Sequence, residues 1–314
     1  MLKYTLKKVF VLFVSLYIVV TITFFLMRLI PGGPFSEDEL LSEEILTSLR
    51  YQYGLDQPLL NQYGTYLKNF LKGEFGFSLK YPERRAIDLI REGFPISCTL
   101  GLEALVVSIF LGISLGAWTA FGRGRWAVRS MLVVNMLGVS IPSFIVATLL
   151  QYLFAVQLNW LPIARWGSFN QTILPAFSLA LFPMVTIASL ARHSMREVGN
   201  QDYIVTAQAK GLSFFQIFFK HILKNSMMPV LTYLGPLIAH IMTGSFVIEK
   251  IFSIPGLGQW FVMSVINRDY TLILSLTVFY TMVLMSCVFI IDLLYYCLDP
   301  RMRREFDKKR MCIF

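Results

Sequence analysis

Charge is scarce in this sequence. Asp, Glu, Lys and Arg make up 15% of its 314 residues, where a soluble chain carries about 25%. That disfavours a soluble multidomain protein and indicates a membrane protein. Histidine is scarcer, with three, and His193, His221 and His240 are not spaced as a ligand set. His240 sits in an apolar run and reads as a packed or pore-facing imidazole. The four cysteines, Cys98, Cys287, Cys297 and Cys312, form no C-x-x-C pair, so neither a disulfide framework nor a structural metal site is expected. There is no G-x-x-x-x-G-K-[ST], and the chain therefore does not hydrolyse ATP itself. H-E-x-x-H, G-x-S-x-G and carboxylates paired in register are also missing. A membrane enzyme would need such a constellation. The net charge is +9, but the basic residues lie in short segments between apolar runs. Nucleic-acid binding, which needs basic and aromatic residues on one soluble face, is disfavoured.

What is abundant is apolar: 56% of the residues are hydrophobic. A span needs about 20 such residues, and six runs qualify: Val9–Ile30, Ser97–Phe121, Ser130–Phe154, Pro175–Ala191, Pro229–Ile248 and Leu272–Leu298. The first follows Lys3, Lys7 and Lys8 but has no A-x-A site after it, and reads as an uncleaved span. The fourth is short and carries Pro183. With both termini inside, seventeen Lys and Arg fall on inside segments, and the two short outside loops hold only Arg165, Lys250 and Arg268. Basic residues favour the cytoplasm. The expected fold is thus an all-α membrane protein of six transmembrane helices, N-in and C-in. Residues 1–96 hold the first span and a long outside loop. Residues 97–314 hold a five-helix core, an inside loop at 192–228 and a basic C-terminal tail.

The outside loop, Pro31 to Ile96, carries ten acidic and seven basic residues; long loops translocate largely regardless of charge. Its "PGGPF" ends the first helix. "SEDELLSEEILTSLRYQYG" reads as a capped amphipathic helix stopping at Gly54, and "LLNQYGTYLKNFLKG" as a second helix, together a small folded lid. Arg28, Glu103, Glu249 and Asp292 lie near predicted span ends and read as snorkelling or interface anchors. No acidic residue falls at a midplane, which speaks against ion-coupled transport. "GISLG" (Gly112 to Gly116) is a G-x-x-x-G suited to helix packing.

One inside segment, "DYIVTAQAKGLSFFQIFFKH" (Asp202 to His221), is polar between apolar neighbours. Asp202 is placed to cap a helix, "YIVTAQAK" favours helix and Gly211 supplies a left-handed stop. Ser213 with Gln216 fits a capping box. Phe214, Phe215, Phe218, Phe219 and Ile222 then make an apolar stripe. These residues alone leave two readings open: a loop packed beneath its own bundle, or a docking element for another chain.

The segment resembles the "EAA" cytoplasmic loop of membrane subunits of bacterial binding-protein-dependent ABC importers, with Gly211 at the family glycine and Ala207 at the second alanine. More specifically, it resembles the oligopeptide, dipeptide and nickel permeases, where D-Y, T-A-x-A-K-G-L-S and H-x-L-[KR]-N recur. These stand here at Asp202-Tyr203, Thr206 to Ser213 and His221 to Asn225. "PGGPF", "YGLDQPLLNQY", "GEFGFS", "EKIFSIPGLGQW", "RDY" and "DLLYYCLDPRMR" match further motifs in order, over essentially the whole chain. The long outside loop resembles the B-type subunit. Gln208, Gly33 and Thr271 depart from residues usual in the family; the resemblance implies that Gln208 would soften an electrostatic contact with a partner.

The resemblance implies a bacterial inner-membrane permease subunit paired with a second permease subunit. Two ATPase subunits would hold ATP and Mg, and an extracytoplasmic peptide-binding protein would deliver cargo; this chain would carry no cofactor. It also implies that the helix around Asp202 to Ser213 docks in an ATPase groove and transmits its closure. Tyr203, Thr206, Ala207 and Lys210 would face the groove, small Ala207 and Ala209 would allow close approach, and Gly211, Leu212 and Ser213 would form the turn. Breaks at Ser140 and Pro142 and at Gly235, Pro236 and Gly244, with His240 nearby, are expected to line the pathway. A nickel or glutathione importer is the rival within the class. A secondary transporter or membrane enzyme is the rival outside it.

Overall fold

The computed structural model describes residues 2–29, 35, 43–81, 83–122, 138, 140–242 and 245–298. Almost all of them are helical, and an isolated antiparallel bridge joins Phe77 to Arg85. In chain order the helices are α1 (Leu2–Leu29), α2 (Glu43–Gln52), α3 (Leu59–Leu71), α4 (Ala86–Phe121), α5 (Ser143–Leu150), α6 (Phe169–Gly199), α7 (Asp202–Ala209), α8 (Phe214–Ile217), α9 (Met228–Met242), α10 (Phe246–Ile251), α11 (Leu257–Ile266) and α12 (Tyr270–Leu298). Wide π-helical stretches extend α5 over Gln151–Gln157 and α8 over Phe218–Leu223, the latter running on as a short α-helical turn, Lys224–Ser226. Among the described residues, four segments are long and apolar enough to cross a membrane: Lys8–Leu29, Ala86–Phe121, Phe169–Gly199 and Tyr270–Ile291. The chain is an all-α membrane protein.

By compactness it divides into two units, Met1–Pro95 with Gly256–Met285, and Ile96–Pro255 with Ser286–Phe314. In the first unit, α1 buries Leu16, Val20, Phe24 and Met27, which fall on one helical stripe. They meet Ile273, Leu274 and Val278 of α12. Helix α3 is fastened to α1 by a 2.6 Å hydrogen bond between the Thr21 and Tyr63 hydroxyls. Arg28 adds two bonds to Gln62 Oε1, at 3.2 and 2.7 Å. After α3 the chain is pinned again: Ser275 donates to the Phe75 carbonyl at 3.1 Å, and Ser78 donates to Asp269. Asp269 is fully buried, and its other oxygen accepts the Leu272 N–H at 3.0 Å. It is the N-cap of α12. Sequence reading missed it, because its partner Ser78 is 191 residues away.

In the second unit, α4 presses against α6 through the glycines of "GISLG". A Cβ added at Gly112 would lie 2.8 Å from Ile187 Cγ2, and one at Gly116 would lie 2.8 Å from the Ala188 carbonyl oxygen. Gly101 approaches α9 as closely: a Cβ there would lie 2.8 Å from the Ile241 carbonyl oxygen. Small residues thus bring backbones together without interdigitating bulk. One core gathers Leu105, Ile187, Ala191, Met195, Val230 and Ile241. A second gathers Leu100, Ala147, Leu174, Ile248, Phe252 and Ile254.

Several expected boundaries shift. Helix α4 begins at Ala86 rather than Ser97 and runs through Pro95, because Ala86, Leu89 and Ile90 are held in a core with Leu257, Leu272 and Leu276. The expected division at 96/97 lies inside that helix, one residue from where the compact units divide at Pro95/Ile96, but Gly256–Met285 groups with the N-terminal residues. Helix α6 is 31 residues long and outruns the apolar stretch Pro175–Ala191 at both ends. Ser168 and Gln171 form a capping box at its start, and its charged last turns continue to Gly199, since a helix does not stop where apolarity does. Pro175 and Pro183 are both buried within it. Gly235 and Pro236 do not break α9; α10 starts with Ser245 as N-cap, its hydroxyl accepting the Ile248 N–H at 3.5 Å. Ile141 and Pro142 do interrupt the third run, and Pro142 caps α5. Residues 130–137 and 139 of that run, Gly33, most of "PGGPF" and the basic tail lie outside the described residues. So does the side chain of Asp292.

Glu249 overturns the snorkelling reading. Its side chain is fully buried and accepts a 2.8 Å bond from the Ser97 hydroxyl. A buried carboxylate must be hydrogen-bonded rather than wet, and Ser97 on α4 is what the sequence could not pair with it.

Candidate coupling site

The polar segment folds as helix, glycine turn, helix. Gln201, not Asp202, is the N-cap of α7; Asp202 is the first helical residue, where its negative charge suits the helix N-terminus. At the other end Gly211 takes φ +80°. The Leu212 N–H donates to the Ala207 carbonyl at 3.3 Å and the Gly211 N–H to the Gln208 carbonyl at 2.9 Å. This pair of bonds is the Schellman closure, which satisfies carbonyls that a helix end leaves orphaned. Ser213 then caps α8. Its hydroxyl accepts the Gln216 N–H at 3.4 Å, and the Gln216 side chain accepts the Ser213 N–H at 3.0 Å, a capping box.

Eight residues of helix are too few to hold themselves in water. Packing supplies the rest. Ile204 and Ala207 are buried in the core built by Ile187, Ala191 and Met195 of α6, with Ile217 and Ile222 from the second helix. Asn225 ties the second helix back, donating to the Tyr203 hydroxyl at 3.2 Å. Arg196, near the end of α6, donates to the Ala120 carbonyl at 3.2 Å. Phe121, the last residue of α4, meets Phe214 and Phe218 edge-on, with centroids 5.7 and 6.0 Å apart. A cavity of about 550 Å³ lies among Phe121, Arg196, Asn200, Ile204, Gln208 and Leu212.

Of the residues expected on one docking face, Tyr203, Thr206 and Lys210 are exposed. They stand at i, i+3 and i+7, a single stripe. Ala209, Leu212 and Ser213 are exposed beside them. Ala207 is not: it is 6% exposed and faces its own bundle. The reason is Ile204, three residues earlier, which fixes the inward face of so short a helix. Sequence reading missed both Ile204 as anchor and Val205, which is 59% exposed. The alternation of apolar Ile204 and Val205 gives no sign of which points in. The aromatic stripe divides likewise: Ile222 is buried, while Phe214, Phe215 and Phe219 stay largely exposed.

The residues expected along a pathway differ in exposure. Pro236 and His240 are exposed one turn apart on α9, Gly235 is buried, and Ser140 and Pro142 are exposed at the start of α5. Gly244 lies outside the described residues. Among the described residues there is no cluster of three or more His, Cys, Asp or Glu able to hold a metal ion. The segment offers a surface rather than a reaction centre: an anchored helix with a free polar stripe, closed by a rigid turn.

The comparisons with known proteins cover the chain almost end to end. The model of the family "binding-protein-dependent transport system inner membrane component" matches residues 112–304, and the model of the N-terminal part of such components matches residues 1–82. The chain is 46% identical over 303 residues to the dipeptide transport system permease protein of Bacillus subtilis, covering 96% of this chain and 98% of that one. It is 42% identical over 306 residues to the oligopeptide transport system permease protein of Salmonella typhimurium, covering 96% and 100%. Against the dipeptide permease protein of Lactococcus lactis the identity is 40% over 303 residues, with 96% and 100% covered. The chain belongs to the family of inner membrane components of binding-protein-dependent transport systems.

Proposed function

We propose that this chain is a permease subunit of an ATP-driven importer of short peptides. The observation that carries the reading is its near-full-length identity to permease proteins of dipeptide and oligopeptide transport systems. The chain forms half of the translocation pathway with a second permease subunit, in the bacterial inner membrane. Six spans place both termini in the cytoplasm, as the basic residues favour, and the α2–α3 region outside, where a peptide-binding protein delivers cargo. The sequence has no P-loop, so two ATPase subunits bind ATP and Mg and supply the work. They dock on the α7 surface through Tyr203, Thr206 and Lys210, while Ile204 and Ala207 carry the movement into the bundle. Ser140, Pro142, Pro236 and His240 line the path.

The test is reconstitution of the four-subunit complex in liposomes with its binding protein. ATP-dependent uptake of labelled di- and tetrapeptides, unaffected by excess nickel or glutathione, is the expected result. Uptake that survives ATP removal but fails when the ion gradient is collapsed would point to a secondary transporter instead. A Tyr203→Cys variant should cross-link to an ATPase subunit bearing a groove cysteine; labelling of that cysteine only from the extracytoplasmic side would reject the orientation.

A further inference from the structure

Within the first unit a cavity of about 500 Å³ lies between the end of α1, the α2–α3 region and the start of α12. That size is ordinary for a small-molecule site. Its walls are aromatic and polar, among them Phe24, Tyr53, Tyr66 and Tyr270, with Gln62 and Glu74.

Arg28 is the unusual member. Its side chain is half-buried, yet its partners among the described residues are neutral: Gln62 Oε1 at 3.2 and 2.7 Å, and the Phe24 carbonyl at 3.4 Å. A buried charge is ordinarily paired. The guanidinium has five N–H donors, and three are used, which leaves one on each terminal nitrogen. It is also held still. Its carbon sits 3.7 Å from the Phe24 ring centroid and 5.8 Å from that of Tyr270. Gln62 is itself fixed, donating to the Leu55 and Gln57 carbonyls at 3.2 and 2.7 Å. A donor left on each terminal nitrogen of an immobilised planar cation, as found here among the described residues, suits a carboxylate bound through both oxygens. Glu74, exposed at the rim, offers the opposite charge.

We infer that this cavity binds the C-terminal carboxylate of a short peptide, with Arg28 as its anchor and Glu74 toward the ammonium end. The inference rests on the peptide-importer reading and its outside placement of α2 and α3. It adds a holding point for cargo on the permease itself, before the membrane is crossed.

The experiment uses the permease–ATPase complex in phosphatidylcholine nanodiscs, without binding protein, and titrates trialanine and trialanine amide by calorimetry. Trialanine should bind and the amide should bind at least tenfold more weakly. Gln62→Glu gives up the two bonds donated to the Leu55 and Gln57 carbonyls but supplies an internal carboxylate to the guanidinium, and should weaken trialanine at least tenfold. Arg28→Lys keeps the charge without the fork and should weaken it several-fold, which guards against a folding defect in the first variant. Equal binding of acid and amide, or full affinity in both variants, would overturn the site. So would competitive displacement of trialanine by phosphatidylglycerol in the nanodisc, which would assign Arg28 to a lipid headgroup. Peptide uptake by the complete importer is measured in parallel. Uptake without carboxylate-dependent binding sinks this inference alone; absence of uptake for every peptide sinks the function on which it rests.

Discussion

Alanine at Gly211 perturbs backbone conformation and nothing else in the chain. The residue sits at φ +80° and an added Cβ would meet no heavy atom within 4 Å, so no clash contributes. What remains is the cost of a left-handed L-residue, roughly 1–2 kcal/mol. That strain acts against a closure of two hydrogen bonds, at 3.3 and 2.9 Å. It should lower the population of the closed turn, relative to open ones, by a factor of about 5 to 30. Asparagine tolerates the same region through its own local hydrogen bonds and should restore most of the loss. The assay is binding-protein-stimulated ATP hydrolysis and peptide uptake in reconstituted importers, normalised to the amount of complex in the membrane. The expected order is glycine, then asparagine within about twofold of it on this strain argument, then alanine several-fold lower, with aspartate between the last two. Alanine at the wild-type rate would refute the turn as a mechanical element. Asparagine as defective as alanine would show that the site needs a bare backbone rather than a left-handed one.

Three other outcomes follow from packing. Gly116→Val should lower the thermal unfolding midpoint in detergent and cost about 1–3 kcal/mol, because the Ala188 carbonyl 2.8 Å away is backbone and cannot turn aside; an unchanged midpoint would contradict the helix contact. Ser97→Ala removes one hydrogen bond from the buried Glu249 carboxylate, which should cost about 1–3 kcal/mol, and Ser97→Thr should recover part of it in the same melt. Among the described residues the buried Tyr66 hydroxyl has no hydrogen-bond partner, and burial pushes its titration upward. Tyr66→Phe should therefore leave stability unchanged or raise it by up to about 1–3 kcal/mol; a loss would mean that the hydroxyl has a partner after all.

Local chemistry was legible in the sequence wherever one short stretch contains all the determinants. Gly211, Ser213 and Gln216 announce their turn and cap, since each acts within a few residues. The glycines at 112 and 116 announced a close helix contact, though not that Ile187 and Ala188 would meet them. Pairings across long separations stayed hidden. Ser97 lies 152 residues before Glu249, and nothing in either neighbourhood names the other. For the same reason Asp269 read as part of a motif rather than as a buried cap. Helix ends were misjudged where apolarity was used as a ruler, as at Ser97 and Ala191; hydrogen bonding and packing set those ends. The inward turn of Ala207 was illegible because eight residues contain only two helical turns, and a stripe that short is assigned by the surface it lands on.

The burial of Ile204 and Ala207 also bears on thermodynamic reciprocity. A helix sealed into its own core cannot change posture independently of that core. If the core has two arrangements, and a partner on the Tyr203–Thr206–Lys210 stripe prefers one of them by some factor, the reverse influence is obligatory. Any ligand that favours the same arrangement from within the bundle must tighten the partner's binding by that same factor. A loaded pathway would then be felt at the ATPase surface before any nucleotide is spent.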